Sequence, residues 1–366
     1  NIAKECFYRK GIDVVGIADA AAPGVIYDIE NLLDSGEMVE VTGGGIGYKK
    51  RVVILLASEI ETQEKQKGHS HHLILLRTLD IAKRFSHKLK EYGSNIAFST
   101  PVYKGPAEDL YKMALDAGAI PFPAHAFSPY KSIYGNCVRK LSDAFSNEIL
   151  NQIPALELGL SADTDLADTI SELRDYTFLS NSDAHSLSKI GREYNIVRLK
   201  NPSFDEIMKA LLRKDGRRVV TNYGLDPKLG KYHRTYCPRC NTTFRKEDPP
   251  ILQCLECNSK SIVRGVLDRI ADIQDYPVPK HPSHRPPYKY QIPLEFVPGI
   301  GPKSIDKLIS RFGSEMAVLH TALKDEIVRV VGEKSADLII KAREGRLPIV
   351  SGGGGHYGKA ILKNDA

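Results

Sequence analysis

At 366 residues, with 42% hydrophobic and 26% charged side chains, the chain has the balance of a globular protein of two or three domains, not of a disordered or fibrous one. No apolar run approaches the roughly 20 residues of a membrane span, and the opening residues read as an amphipathic helix, not a signal peptide. The formal charge of +6 is concentrated: from Lys228 to Lys289, 12 Lys and Arg stand against 6 Asp and Glu, which points to a polyanionic partner or to a solvated linker.

Asn1–Arg9 reads as a helix leading into the apolar run Val14–Ala18, which delivers Asp19. No strand precedes that helix, so an upstream strand is expected to be missing from this sequence. Val52–Ser58 then delivers Glu59, His71 and His72 open Leu73–Leu76, and Ala119–Phe122 leads to His125. Tyr176–Leu179 leads to Asp183 and His185. Helices are expected over Ala107–Ala117, Cys137–Gln152, Asp165–Asp175 and Phe204–Lys214. The junctions 44–50 and 63–71 read as places where mobile loop residues are missing. Alternating strands and helices to about residue 222 predict a parallel α/β sheet or barrel, in which ligands gather at the carboxyl ends of strands.

Asp183 and His185 are two apart in an extended segment, so they point the same way and form half a divalent-metal site. The alternative is a turn in which Asp183 caps the next helix. Five separate apolar runs each place a carboxylate or imidazole at one end, and incidental turn residues do not explain that repetition.

Cys237, Cys240, Cys254 and Cys257 form two Cys-x-x-Cys pairs 13 residues apart, the spacing of a closed structural zinc site in a reducing cytoplasm. Such a site supplies folding energy that a small segment cannot draw from a core. Asp275–Pro293 carries prolines at 277, 279, 282, 286 and 287 and so reads as an extended arm or linker. In Val297-Pro-Gly-Ile-Gly-Pro-Lys303, Gly299 and Gly301 precede a helix opening at Pro302. This is the form of helix-hairpin-helix modules, whose glycines let backbone N–H groups approach a phosphate, with Lys303 and Lys307 near the same end. Val330–Leu338 is a weaker second copy. Ser351–Lys359, with four consecutive glycines, reads as a flexible linker or as a loop that orders on DNA.

The strand-end residues together resemble the PHP domain, the polymerase and histidinol phosphatase family. The resemblance implies a distorted (β/α)7 barrel holding divalent ions (Zn2+, Mg2+ or Mn2+), with Asp19, Glu59, His72, His125, Asp183 and His185 as ligands. His72 is preferred to His71 because it directly precedes the apolar run. The family's opening His-x-His is absent, and Ala20–Ala22 stand where a further His is usual, which weakens Asp19. With Ala124–Gly135, Leu158–Asp163 and Arg285-Pro-Pro-Tyr288, the chain resembles the endonuclease Q family. That resemblance implies a PHP nuclease domain over 1–222, a four-cysteine zinc module and connector over 223–290, and a helix-hairpin-helix domain over 291–366. It further implies DNA cleavage 5′ of a deaminated base (uracil, hypoxanthine or xanthine) or of an abasic site. Asp183, His185 and His125 would be catalytic through ions that they hold. An extruded base would need a pocket, for which Phe127, Tyr130 and Tyr134 are candidates unless they form plain core. A small-molecule phosphoesterase and a non-catalytic DNA binder with a degraded barrel are the competing functions.

Overall fold

The computed structural model describes residues 1–64, 68–92 and 95–362. Its centre is Val52–Gln63 (β4), a β-branched and aliphatic run buried on both faces over nearly its whole length. It belongs to a six-stranded sheet ordered β2 (Met38–Glu40), β3 (Ile46–Tyr48), β4, β5 (His69–Leu76), β6 (Ile120–Pro123), with β1 (Val14–Ile17) also on β4. Only β1 runs parallel to β4, from Val14 opposite Val53 to Ile17 opposite Leu56; β3, β5 and β6 are antiparallel to their neighbours. The expectation of a parallel sheet is therefore corrected to a mixed α/β arrangement. The cause is connection length: β3–β4 and β4–β5 are joined directly, whereas parallel pairing needs a long crossover. β7 (Ala155–Glu157) and β8 (Thr177–Leu179) pair in parallel, and β10 (Arg218–Leu225) lies between antiparallel β9 (Tyr194–Arg198) and parallel Tyr288–Gln291.

The junction at 44–50 is a continuous hairpin between β2 and β3 followed by a turn into β4. In the junction at 63–71, residues 65–67 lie outside the described residues.

Two expected helices form, over Ala107–Asp116 and Phe204–Leu211. The helix expected over Cys137–Gln152 is instead a turn at Leu141–Asp143 and a short helix at Asn147–Leu150. Its backbone groups are taken by distant side chains: Arg269 donates to Val138 O (2.9 Å), and Leu141 N donates to Glu172 (2.9 Å). Asp165–Asp175 is likewise reduced to Thr164–Ala167 and Ser171–Leu173. There the Thr169 carbonyl accepts from Asp275 N and Tyr276 N, and Asp168 turns inward to Arg285.

Those contacts also correct the reading of Asp275–Pro293 as a loose arm. Arg285 grips the Asp168 carboxylate through Nε and Nη2, donates to Tyr176 O (2.6 Å), and lies 3.5 Å above the Phe178 ring. The Ser351–Lys359 stretch is no linker either. Gly352 N and Gly358 N donate to Lys228 O and Leu229 O, Gly355 N donates to Lys231 O, and Arg245 holds Ser351 O. A side chain at Gly353 would meet Thr243 at 2.5 Å, and one at Gly358 would meet Lys228 O at 2.2 Å, so close backbone approach explains these glycines.

The largest core lies around the six-stranded sheet and includes Val266, Ile270 and Ile273 of the helix that follows the cysteine pairs. A second core joins Leu160, Leu225 and Leu229 to four helices, Pro302–Phe312, Glu315–His320, Lys324–Val331 and Glu333–Arg343. The buried pair Lys10–Glu315 (2.5 Å) links the N-terminal helical turn to the second of these helices. No helix among the described residues is long and apolar enough to cross a membrane.

Candidate metal centre

β4 and β5 cross so that Glu61 is paired with His71 and Glu59 with Leu73. Side chains alternate along both strands, which puts Glu59 and His71 on one face of the sheet, where Glu59 lines an open cleft of about 1460 Å³. His125, just past the end of β6, completes the group. His71 Nδ1 is 3.0 Å from Glu59 Oε1 and 3.3 Å from His125 Nε2, and His125 Nε2 is 3.8 Å from Glu59 Oε2. Thr100 donates to Glu59 at 3.2 Å. Burial pushes the Glu59 carboxyl up, but the His71 hydrogen bond and the His125 charge outweigh it and hold it at about 2. Glu59 is thus an anion at any working pH. Burial lowers the His125 pKa against the opposing Glu59 charge, a shift toward the proton-free ring that metal ligation needs.

Glu61 lies behind His71, its Oε2 3.4 Å from His71 Nε2, and is itself held by Lys131 (2.8 Å) and His69 (2.9 Å). A carboxylate on the far ring nitrogen is the usual orienting partner of a ligating His. Nδ1 of His125 is buried without a partner. Mixed nitrogen and oxygen donors with an orienting carboxylate fit a borderline divalent ion such as Zn2+ or Mn2+.

His72 is not part of this group, and its neighbour His71 takes the place expected for it. The alternation of β5 turns His72 to the opposite face, fully buried, with Nδ1 2.9 Å from Tyr111 Oη and Nε2 2.8 Å from Ser70 Oγ. Burial pushes its pKa down to about 3, the state of a neutral core histidine. Asp19, Asp183 and His185 line the same cleft without touching the three grouped residues. Asp183 is 33% exposed and His185 86% exposed, and His185 Nδ1 is 3.7 Å from Asp183 Oδ1. His125 and Asp183 have φ of 27° and 43°, left-handed values costly for side-chain-bearing residues and typical of constrained functional positions. Gly159 permits the first of these, because a Cβ there would lie 2.9 Å from His125 Cβ.

Sequence reasoning missed Glu157, at the end of β7 in the same cleft. Burial, then the Asp183 and Glu59 charges, raise it to about 8. Ala155-Leu156-Glu157 repeats the signal of an apolar run delivering a carboxylate, in a shorter strand.

The four cysteines converge as expected. Cys237 and Cys257 sulfurs are 3.9 Å apart, and Cys240 and Cys254 sulfurs 3.8 Å. Zn–S bonds of about 2.3 Å give a tetrahedral edge of about 3.8 Å, whereas a disulfide is about 2.05 Å long. Asn241 and Asn258, each directly after a pair, both adopt left-handed φ (53° and 57°), so the two halves turn alike. Among the described residues, Phe244 and Ile251 join Cys237 and Cys254 in a small local core, with Ile262 packed against it. Replacing Cys254 with Ser is therefore expected to remove about one zinc per chain and to melt residues around 236–263. Metal analysis and proteolysis check this; unchanged zinc stoichiometry would count against the site.

Gly299 has φ +79° and Gly301 caps the helix Pro302–Phe312; a Cβ at either would meet no atom of the protein within 4 Å. Lys303 and Lys307 are exposed beside them. Gly332 repeats the arrangement before Glu333–Arg343, also with open space around it. Of the three aromatics considered for a base pocket, Phe127 and Tyr134 are fully buried and stacked on each other at 5.3 Å, with the Tyr134 hydroxyl on Glu172. They are core. Tyr130 is half exposed and packs edge-on against Tyr232.

Comparison with known proteins gives a consistent set of relatives. A family model described as PHP-associated matches residues 163–215. The chain is 43% identical over 361 residues, 98% of its length and 91% of the relative's, to the Bacillus subtilis protein described as uncharacterized protein YqxK. It is similar to the crystal structure of the novel lesion-specific endonuclease PfuEndoQ from Pyrococcus furiosus, with TM-score 0.82, 34% identity, and 99% and 89% of the two chains covered. It is also similar to endonuclease Q in complex with a 27-mer duplex substrate carrying an abasic lesion at the active site, with TM-score 0.84, 35% identity, and 99% and 91% covered.

Proposed function

This chain belongs to the endonuclease Q family, and from that premise we propose that it is a metal-dependent phosphodiester hydrolase nicking DNA 5′ of a deaminated base or an abasic site. The observation that carries this reading is the Glu59–His71–His125 group, whose Glu59 lines a cleft that also holds Asp19, Glu157, Asp183 and His185. When bound there, a divalent ion supplies Lewis acidity toward a phosphodiester and acidifies a water. Glu59, His71 and His125 hold the ion, with Asp183 and His185 available from the facing loop. With an ion bound, Glu61 would hold the His71 proton on Nε2, so that Nδ1, otherwise donating to Glu59, could ligate. Lys50 and Arg51 at the cleft wall attract the DNA backbone. Gly299, Gly301, Lys303 and Lys307 grip phosphates away from the reacting bond, without reading sequence. The four-cysteine zinc serves structure alone, since four thiolates leave no open position.

The test is a nicking assay with Mn2+, Mg2+ or Zn2+ on duplexes carrying one uracil, hypoxanthine, xanthine or abasic site. The expected product is cut 5′ of the lesion and ends in a 3′ hydroxyl. Equal nicking of undamaged duplex would remove the repair role. Duplex binding without nicking under any metal would leave the non-catalytic binder. In the same system, Gly301→Val should weaken binding to damaged and undamaged duplex alike. The fold has room for the side chain, so the loss reads on DNA and not on folding. An unaltered affinity across a salt titration would remove this turn from the interface.

A further inference from the structure

We propose that Phe98 is a wedge that enters the base stack where the lesion nucleotide has been extruded, and so holds that nucleotide out of the duplex. The inference rests on the endonuclease reading above. At 65% exposure, Phe98 is the most exposed aromatic side chain among the described residues. A ring left in water is not spent on the core and stays available to a partner.

The segment that carries it is pinned. Ala97 N donates to Asn95 Oδ1 (3.2 Å) and Phe98 N to Asn95 O (3.3 Å). Beyond the ring, Glu61 N donates to Pro101 O (3.0 Å) and Tyr103 N to Glu61 O (2.8 Å), stitching the segment to β4. Thr100 Oγ1 bonds Glu59 itself, and Ser99 and Thr100 line the cleft.

Phe98 is two residues from Thr100, so their Cα atoms are at most about 7 Å apart. Successive phosphates of one strand are about 3.4 Å apart along the helix axis. If the bond cut is the one 5′ of the lesion, the gap left by extrusion opens within one or two nucleotides of the Glu59 group. The ring and the gap are therefore brought to the same place. Extruding a base costs stacking and pairing, and an inserted apolar side chain restores the stacking. The aromatics that line the cleft are not free to do this: Phe122 is buried, and Tyr194 and Tyr223 stack on each other at 4.8 Å and pack against His320.

The test compares Phe98→Ala with the parent protein on hypoxanthine in a duplex and on the same strand without its complement, under single-turnover conditions. On the paired lesion the variant should nick about 10-fold or more slowly, the scale of one lost base–aromatic stack. On the single strand, where no stack has to be opened, it should stay within about 2-fold. Phe98→Trp should keep the paired activity, and its indole, the one Trp in a chain that otherwise has none, should be quenched on the lesion duplex, where it stacks on bases. Equal slowing on both substrates, or none on the duplex, overturns the wedge while leaving the nuclease intact. A parent protein that nicks neither substrate sinks the endonuclease reading and the wedge with it.

Discussion

Glu59→Gln is expected to nick lesion-bearing DNA at least about 100-fold more slowly than the parent, because loss of a mere orienting partner already costs about 10–100-fold. Glu59 lies beside both histidines of its group and is held ionised, so it supplies the negative charge that a cation needs there. Glutamine keeps the shape and removes the charge. Divalent-ion content of the cleft should fall with activity, while duplex affinity should remain, since the lysines and glycines at 299–307 lie in another core. Glu61→Gln, which leaves every ligand in place, should lose only the smaller factor. Single-turnover nicking, metal analysis and an anisotropy titration separate these effects. Full activity in Glu59→Gln would disprove the assignment of the group.

Arg285→Ala should give the largest loss of stability, about 3–5 kcal/mol, the usual effect of leaving a buried charge without its partner. The Arg285 and Asp168 side chains are 2% and 1% exposed. The guanidinium also satisfies Tyr176 O and covers Phe178, whose strand runs on toward Asp183. A midpoint lowered by on the order of 10 °C follows. Lysine should not rescue it, because an ammonium cannot make the forked contact. Thermal and urea unfolding measure the effect. A loss below about 1 kcal/mol would mean that His281, 2.7 Å from Asp168, suffices as its partner.

The four-cysteine module was legible because its information is local: two pairs at fixed spacing dictate one cluster, whatever surrounds them. The metal group was half legible. Glu59 and His125 follow from apolar runs that end in a ligand, a pattern that needs no register. Choosing between His71 and His72 does need one, because both faces of β5 are buried and apolarity cannot tell them apart. The pairing of Glu61 with His71 decides it, and that pairing is tertiary. Glu157 escaped because a strand of three residues gives little periodicity. The expected helices over 137–152 and 165–175 failed for a related reason. Their local propensity is overridden by Arg269, Glu172 and Arg285, side chains far away in the chain that claim the backbone or the turn residue. Phe127 and Tyr134 are as compatible with a pocket as with a core until packing is known.

The seating of the Gly-rich stretch on Lys228–Arg234 bears on the order in which the molecule is made. A nascent chain that has emerged past Cys257 already owns all four thiolates, yet the strip leading into the module still lacks Gly352, Gly355 and Gly358 across from it. Metal capture can thus precede final seating, and the seam closes only when translation has passed Lys359. A premature stop just before Ser351 would release a protein with all four cysteines in place and that seam open.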